Sequence, residues 1–132
     1  MSVVVDTSAI MAVLRQESQA HRVRAILEAA DERLISAATI VELGIVVESR
    51  TGGRMTIDRV VREFGLTVVD VDAKQARLAL EAWRRFSKGR HPASLNFGDC
   101  FSYALSEARR TGLLWVGDDF AVTDVRTPRL EP

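Results

Sequence analysis

The chain has 132 residues and carries 18 basic and 18 acidic side chains, so its formal net charge is zero. Hydrophobic residues make up 47% of it, which excludes a disordered chain and is enough for a sizeable core. The lone Cys100 excludes an internal disulfide framework, and neutral overall charge leaves nucleic-acid binding to local patches. The sequence has no membrane-length apolar segment and no signal-peptide pattern, so we expect a cytoplasmic protein with no membrane contact.

The first third of the chain alternates short apolar runs with helical patterns. We expect one domain over residues 1–132, because no repeat, linker or low-complexity segment divides it. Val3 to Val5 predicts a strand buried on both faces, and a helix is expected to begin near Thr7. After a second amphipathic helix, Leu34–Ile35 is a short strand. Ala37 to Ser49 is apolar almost all round, which is typical of a core helix.

The rest of the chain continues the alternation. Strands are predicted at Leu66 to Val71 and at Leu113 to Val116, with a short edge strand at 122–125. A polar loop, SKGRHPAS, begins at Ser87 and precedes a helix predicted from Phe97 to Arg110. Alternating strands and helices indicate a parallel sheet covered on both faces, and such sheets bind ligands at the carboxyl ends of their strands.

Two isolated carboxylates lie in apolar surroundings early in the chain. Asp6 follows the first predicted strand, so it is expected at the carboxyl edge of the sheet, where an aspartate also serves as a helix N-cap. Glu42 is the only charged residue between Ala37 and Val47. A buried glutamate needs a partner because its desolvation is costly, and either a metal ion or a neighbouring arginine would supply one.

The segment LNFGDC places a third acid, Asp99, in the first turn of its helix. Asn96 is the predicted N-cap, and a capping arrangement with a dipole contribution of roughly 0.3–1 kcal/mol would explain an acid here. However, Ser102 and Ser106 follow on the same side of the helix. These small polar side chains leave space beside Asp99 that a surface cap does not require.

Asp118 and Asp119 follow the strand predicted at Leu113 to Val116, so they are expected at the same edge as Asp6. A solvated turn explains one of the two. Several carboxylates at one edge would raise each other's pKa values, and a hard divalent cation relieves that repulsion. Mg²⁺ prefers oxygen ligands and uses few carboxylates together with substrate phosphates, which suits phosphodiester hydrolysis.

Four stretches together resemble the PIN-domain ribonucleases. They are VVDTSA, the lone Glu42 in its apolar helix, GRHPASLNFGDC and LLWVGDDF. More narrowly, the chain resembles the VapC toxins of bacterial type II toxin–antitoxin pairs, and the resemblance covers essentially all of it. It implies an α/β fold, a PIN-like three-layer α/β/α sandwich with a central parallel sheet, and metal-dependent RNA cleavage.

The resemblance also implies roles for particular residues. Asp6 and Asp99 would be the principal ligands of Mg²⁺, with Mn²⁺ as a substitute, and Glu42 would complete the acidic cluster directly or through water. Ser8 matches a small hydroxyl residue that supports the site by hydrogen bonding, although a residue that merely starts the helix fits the sequence equally well.

The chain departs from this family at one point. Many relatives have two acids spaced apart before a closing phenylalanine, whereas Asp118 and Asp119 are adjacent here. We favour Asp118 as the fourth catalytic carboxylate because it comes first after the strand, with Asp119 holding the turn.

RNA requires phosphate contacts beyond the metal. Lys88, Arg90 and His91, in the loop before the Asp99 helix, are the candidates, although an ordinary solvated loop fits them equally well. Trp83 and Trp115 have apolar neighbours, which favours core packing over base stacking.

The resemblance implies three macromolecular partners. The RNA substrate would be a transfer or ribosomal RNA. A VapB-type antitoxin would lay its C-terminal segment across the pocket, and a second copy of the chain would form a homodimer.

Other functions on a similar sheet fit less well. A Mg²⁺-dependent phosphohydrolase of the haloacid-dehalogenase type needs a second aspartate two residues after the first, and position 8 is serine. The chain lacks the acidic pair and the late lysine that a response-regulator receiver needs. It also lacks the glycine-rich first turn of a dinucleotide-binding domain. A catalytically silent PIN-fold binding module is the remaining alternative. Retained acids argue against it because uncompensated carboxylates in a core are costly.

Overall fold

The elements of the fold follow the predicted alternation. The computed structural model describes residues 1–87 and 89–128. In chain order its elements are β1 (Ser2–Val5), α1 (Thr7–Leu14), α2 (Ala20–Ala29), β2 (Glu32–Ser36), α3 (Ala37–Thr51), α4 (Ile57–Phe64), β3 (Leu66–Val69), α5 (Ala73–Phe86), α6 (Phe97–Arg109) and β4 (Leu113–Leu114).

The four strands form one parallel sheet in the order β3-β2-β1-β4. The chain builds outward from β1 to β3 and then returns, so β4 pairs with the opposite side of β1. The order of strands therefore reverses between β1 and β4. In open parallel sheets such a reversal leaves a crevice at the carboxyl ends of the strands, where ligands bind.

Successive side chains of β1 point to opposite faces of the sheet and enter two different cores. Val3 and Val5 pack with residues of α1 to α4, whereas Val4 packs with residues of α5 and α6. All three valines are fully buried, as the apolar run predicts. Helices thus cover both faces of the sheet, and the predicted three-layer α/β/α architecture is confirmed.

Three details of the sequence-based prediction are wrong. β3 and β4 end two residues before the predicted limits, at Val69 and Leu114. Residues 122–125 form no strand, because the chain turns there. Just after them, the backbone carbonyl of Arg126 accepts a hydrogen bond of 2.8 Å from Leu113 N. α3 is not buried all round, because Val41 and Ile45 are 61% and 64% exposed.

In the part of the chain that the structure describes, no helix combines the length and apolar character that crossing a lipid bilayer requires.

Candidate metal-dependent active site

Asp6 lies where β1 ends and α1 begins. Its side chain is 4% exposed and receives three hydrogen bonds, two from Ser8 and one from Ser102. Oδ2 accepts from Ser8 N at 3.1 Å and from Ser8 Oγ at 2.7 Å, and Oδ1 accepts from Ser102 Oγ at 2.6 Å. Asp6 therefore does cap α1, as the simpler interpretation holds, but it also has a buried carboxylate whose orientation is held from both sides.

Ser8 connects this carboxylate to the neighbouring strand. Its hydroxyl donates to Asp6 and accepts a hydrogen bond of 3.0 Å from Val116 N, just beyond β4. Because one hydroxyl makes both bonds, the end of β4 is held beside the end of β1. The segment that carries Asp118 and Asp119 thus leaves the sheet next to Asp6.

Asp99 enters the same crevice from the N-terminus of α6. It is 6% exposed and forms a capping box with Asn96: Asp99 N donates to Asn96 Oδ1 at 2.9 Å, and Asn96 N donates to Asp99 Oδ2 at 3.0 Å. Burial, followed by the charges of Asp6 and Asp119, raises the pKa of Asp99 to about 8, although the Asn96 amide opposes the shift. The cap exists as predicted, yet the same carboxylate is buried and lies near the charges of other acids.

The two adjacent acids after β4 differ in position. Asp119 lies close enough to Asp99 for its negative charge to raise the pKa of the Asp99 carboxyl. Asp118 instead lines a separate groove with Arg22 and Trp115. The structure therefore brings Asp119 to Asp99, whereas the sequence-based preference was for Asp118. The two are consecutive residues of an exposed turn.

Glu42 reaches the crevice from α3. Its Oε1 accepts a hydrogen bond of 2.6 Å from Thr7 Oγ1, and its Oε2 lies directly over the α-carbon of Gly98. A β-carbon at position 98 would stand 1.9 Å from that oxygen, so only glycine leaves room for the carboxylate. Glu42 is half-buried, and within residues 1–87 and 89–128 its partner is a hydroxyl rather than an arginine.

The site has an excess of negative charge. Asp6, Glu42, Asp99, Asp118 and Asp119 take part in none of the salt bridges among the described residues. No three metal-ligating side chains in that part of the chain stand together as a ready-made cage. The arrangement is therefore a buried Asp6–Asp99 pair, with Glu42 and Asp119 at its margins.

Known proteins resemble this chain in sequence and in fold. A family model described as PIN domain matches residues 3–126. Ribonuclease VapC28 of Mycobacterium tuberculosis is 46% identical over 126 residues, which cover 93% of this chain and 95% of that protein. The chain belongs to the VapC ribonucleases of the PIN-domain family. The resemblance inferred from the four sequence stretches is thereby confirmed.

Solved structures of a VapC toxin and of a toxin–antitoxin complex have the same architecture. VapC20 of Mycobacterium tuberculosis, described as a Sarcin-Ricin loop cleaving toxin, matches with a TM-score of 0.75 at 17% identity and covers 97% of this chain and 99% of that one. A chain of a toxin–antitoxin complex from Klebsiella pneumoniae matches with a TM-score of 0.69 at 15% identity and covers 92% of both chains. These likenesses establish the PIN fold of this VapC protein.

The predicted RNA contacts of this VapC chain lie in different settings. The Arg90 guanidinium stacks over the Trp83 ring, 4.2 Å from its centroid. His91 packs edge-on against Phe86, and its Nδ1 accepts a bond of 3.0 Å from Ala93 N, so it stabilises the loop. Lys88 lies outside the described residues. Trp83 is 42% exposed, so the prediction that it packs in the core is wrong. Its apolar neighbours on α5 line a surface groove together with it.

Sequence reasoning missed three residues of the VapC site. Ser102 was noted for its small size rather than as the donor to Asp6, and Thr7 and Gly98 were not considered. Thr7 directly follows Asp6, and Gly98 directly precedes Asp99, so adjacency to a candidate ligand was the available signal. Sequence spacing predicts neither contact with Glu42, since the Thr7 contact depends on how α3 packs on α1 and the Gly98 contact on how α3 packs on α6.

Proposed function

We propose that this chain is a Mg²⁺-dependent endoribonuclease toxin that hydrolyses phosphodiester bonds of transfer or ribosomal RNA in the cytoplasm. The observation that carries the proposal is the buried Asp6–Asp99 pair, which has no cationic side chain beside it in the described part of the chain. The names of its VapC relatives, which are ribonucleases, support the reaction.

The donor set fits Mg²⁺, or Mn²⁺ in its place. All the ligating atoms on offer are oxygens, and Mg²⁺ is held by one or two carboxylates plus waters and substrate phosphates rather than by a full protein cage. Asp6 and Asp99 would bind the ion, while Glu42 and Asp119 would act through water. The pKa of Asp99 is raised first by burial and then by the charges of Asp6 and Asp119, and a bound cation would offset both effects.

A bound ion would supply activation of the attacking water and stabilisation of the leaving oxygen. The chain itself supplies orientation. Ser102 and Ser8 hold the two oxygens of Asp6 in fixed directions, and Thr7 holds Glu42. Because these donors hydrogen-bond the carboxylate oxygens in place, the ligands need little rearrangement when the ion and a phosphate enter.

The direct test is cleavage by the purified protein. We expect single-stranded and structured RNAs to be cut in Mg²⁺ or Mn²⁺ and left intact in EDTA. Asp6→Asn and Asp99→Asn should abolish cutting while the circular dichroism spectrum stays native. Asp58→Asn is the matched control, because Asp58 is an exposed acid on α4, remote from the site. Cleavage by either site variant at the rate of the control would refute the assignment.

A cellular experiment would identify the RNA that is cut. Mapping RNA 5′ ends after brief induction should reveal new ends at narrow positions for the wild-type protein and none for Asp99→Asn. A catalytically silent binding protein of the same fold would produce no new ends with either chain.

Two protein partners belong to the proposal: a VapB-type antitoxin that blocks the pocket, and a second copy of the chain. The exposed Val41 and Ile45 of α3 provide an apolar surface for the second copy. We expect wild-type protein to sediment as a dimer and Ile45→Glu as a monomer. Co-purified antitoxin should suppress RNA cleavage, and cleavage unaffected by it would contradict the neutralising role.

A further inference from the structure

A groove lies on the surface between α5 and α6. Its volume is about 400 Å³ and its lining is almost wholly apolar, formed by Ala76, Ala79, Leu80, Trp83, Phe97, Cys100 and Phe101. Phe97 is the most exposed of these, at 80%, and its ring meets that of Phe101 edge-on with centroids 5.0 Å apart. A phenylalanine that leaves most of its surface in water gains little from folding, which suggests another use for it.

The groove adjoins the metal-dependent site through the first turn of α6. Phe97 and Asp99 are two residues apart, so their side chains leave the helix about 200° from each other. Asp99 points to Asp6, and Phe97 therefore points to the other side of the helix end, toward α5. Gly98, between them in sequence, leaves room for the Glu42 carboxylate. A strand of RNA whose phosphate lies at Asp6 and Asp99 has only this one helix end to cross before it meets Phe97.

Cationic side chains border the apolar lining. Arg90 lies over one face of the Trp83 ring. On the outer side of α5, Leu80 also lines a second groove, whose charged residues are Lys74, Arg77, Glu81 and Arg84. Three of these four are basic, and Arg84 pairs with Glu81 at 3.6 Å, so Lys74 and Arg77 carry the net positive charge of this second groove. An apolar slot with a basic rim matches single-stranded nucleic acid, in which flat bases alternate with anionic phosphates.

We propose that this groove binds a nucleobase of the RNA strand, next to the phosphodiester that is cut, with Phe97 and Trp83 as its stacking platform. The inference rests on the proposed ribonuclease function and specifies how that site holds its substrate. Arg90, held over Trp83, would contact the adjacent phosphate. Phe97 and Trp83 are thus positioning residues that act on the substrate strand and take no part in bond breaking.

Two features favour RNA over a protein segment as the occupant. The rim is predominantly basic, whereas a purely apolar helix from a partner or a second copy would need no cations there. The groove also begins at Phe97, the residue before Gly98, so an RNA strand bound at the acidic site could extend into it. A protein occupant is the competing outcome of the experiments that follow.

Binding is measured in an Asp6→Asn, Trp115→Phe background, in which cleavage is blocked and Trp83 is the only tryptophan. The probes are the oligonucleotides rU10 and rA10, and inorganic polyphosphate serves as a polyanion without bases. We expect both oligonucleotides to quench Trp83 fluorescence, because bases stack beside it, and polyphosphate to bind without quenching. Equal responses to all three, or none to the oligonucleotides, would overturn the base-binding role.

Phe97→Ala tests the platform and Val68→Ala is its matched control, an exposed apolar residue on β3 at the far edge of the sheet. Because Phe97 is so exposed, its truncation should leave the melting temperature within a degree or two of wild type. Oligonucleotide affinity should fall by about 5- to 100-fold, the range for loss of one base–aromatic stack, and the control should bind as wild type does. A change in sedimentation with unchanged affinity would instead assign the groove to a protein interface.

Cleavage separates failure of this inference from failure of the proposed function. For a chain that cuts RNA, Phe97→Ala should raise KM at least fivefold and alter kcat far less. Unchanged KM would refute the platform while leaving the ribonuclease intact. If the wild-type chain cuts no RNA, the ribonuclease proposal fails, and the quenching experiment still decides whether bases enter the groove.

Discussion

The Ser102 hydroxyl donates a hydrogen bond of 2.6 Å to Asp6 Oδ1, joining α6 to the end of β1 in the interior of the protein. Ser102 also lies 3.4 Å from Thr39 Oγ1, so a short chain of hydroxyls connects α3, α6 and the carboxylate. Asp6 is therefore oriented by groups that come from three separate elements. The orientation of its carboxylate is therefore a property of the folded core rather than of the β1–α1 junction alone.

This relationship predicts the effect of Ser102→Ala. Loss of a hydrogen bond to a buried charge costs about 1–3 kcal/mol, and the remaining carboxylate is free to turn. We expect a lower melting temperature together with a weaker stabilisation by Mg²⁺. The control is Ser106→Ala, one turn further along α6, whose hydroxyl bonds the Thr111 carbonyl away from the site. It should lose stability yet respond to Mg²⁺ as wild type does. Equal Mg²⁺ responses in both variants would contradict an orienting role for Ser102.

The raised pKa of Asp99 predicts how the free energy of unfolding depends on pH when no metal is bound. This pKa is about 8 in the folded state against 3.8 for an ordinary aspartate, chiefly because of burial and then the charges of Asp6 and Asp119. Between these two values the folded state holds a proton that the unfolded state has lost, so the free energy of unfolding falls as pH rises. Below pH 3.8 the contribution is fully present, and above about pH 8 it is lost.

Thermal melts from pH 5 to pH 9 in EDTA would measure this slope. We expect Asp99→Asn to flatten it and to be more stable than wild type at pH 9, since an amide keeps an acceptor for the Asn96 cap but has no charge to repel. Asp58→Asn should retain the wild-type slope. Mg²⁺ should stabilise wild type most at high pH, because binding requires the deprotonated ligand. A lower melting temperature for Asp99→Asn at pH 9 would show that capping outweighs repulsion.

The adjacent acids Asp118 and Asp119 are separable by a matched pair of substitutions. Asp119→Asn removes one of the two charges that raise the pKa of Asp99, so we expect the pH slope of stability to weaken and RNA cleavage to fall at least tenfold. Asp118→Asn changes a residue of the neighbouring groove and should leave cleavage within about twofold of wild type. Initial cleavage rates at saturating Mg²⁺ provide the comparison. The opposite ranking would restore Asp118 as the fourth carboxylate.

The framework of the fold was predictable because its signals are local. Buried β-branched runs identify strands whichever element packs on them, and Val3 to Val5 is such a run. The cap formed by Asn96 and Asp99 depends only on residues three apart in one helix turn. Asp6 was predictable as an edge residue since it directly follows the first strand, and parallel strands all end at one edge.

The features that the sequence did not predict depend on packing between distant elements, which the spacing of residues along the chain does not reveal. Nothing local distinguishes Asp118 from Asp119, because their surroundings are set by distant elements: Asp119 lies near Asp99 of α6, and Asp118 shares a groove with Arg22 of α2. Trp83 and Ile45 have apolar neighbours along the chain, and the sequence does not reveal that their helix faces lie at the surface. Thr7 and Gly98 become part of the site only because α3 carries Glu42 between them.

Gly98 makes this long-range dependence testable. An alanine β-carbon there would stand 1.9 Å from Glu42 Oε2, and a carboxylate at the end of a flexible side chain can move away at little cost. Alanine also favours the helix over glycine by up to about 1 kcal/mol, so Gly98→Ala should fold with unchanged or higher stability. The displaced Glu42 would lose its bond from Thr7, and we expect RNA cleavage to fall at least tenfold. In a Glu42→Ala background the same substitution should have no further effect on cleavage, because the clash no longer exists. Additive losses in the double variant would show that Gly98 acts through the backbone of α6 rather than through Glu42.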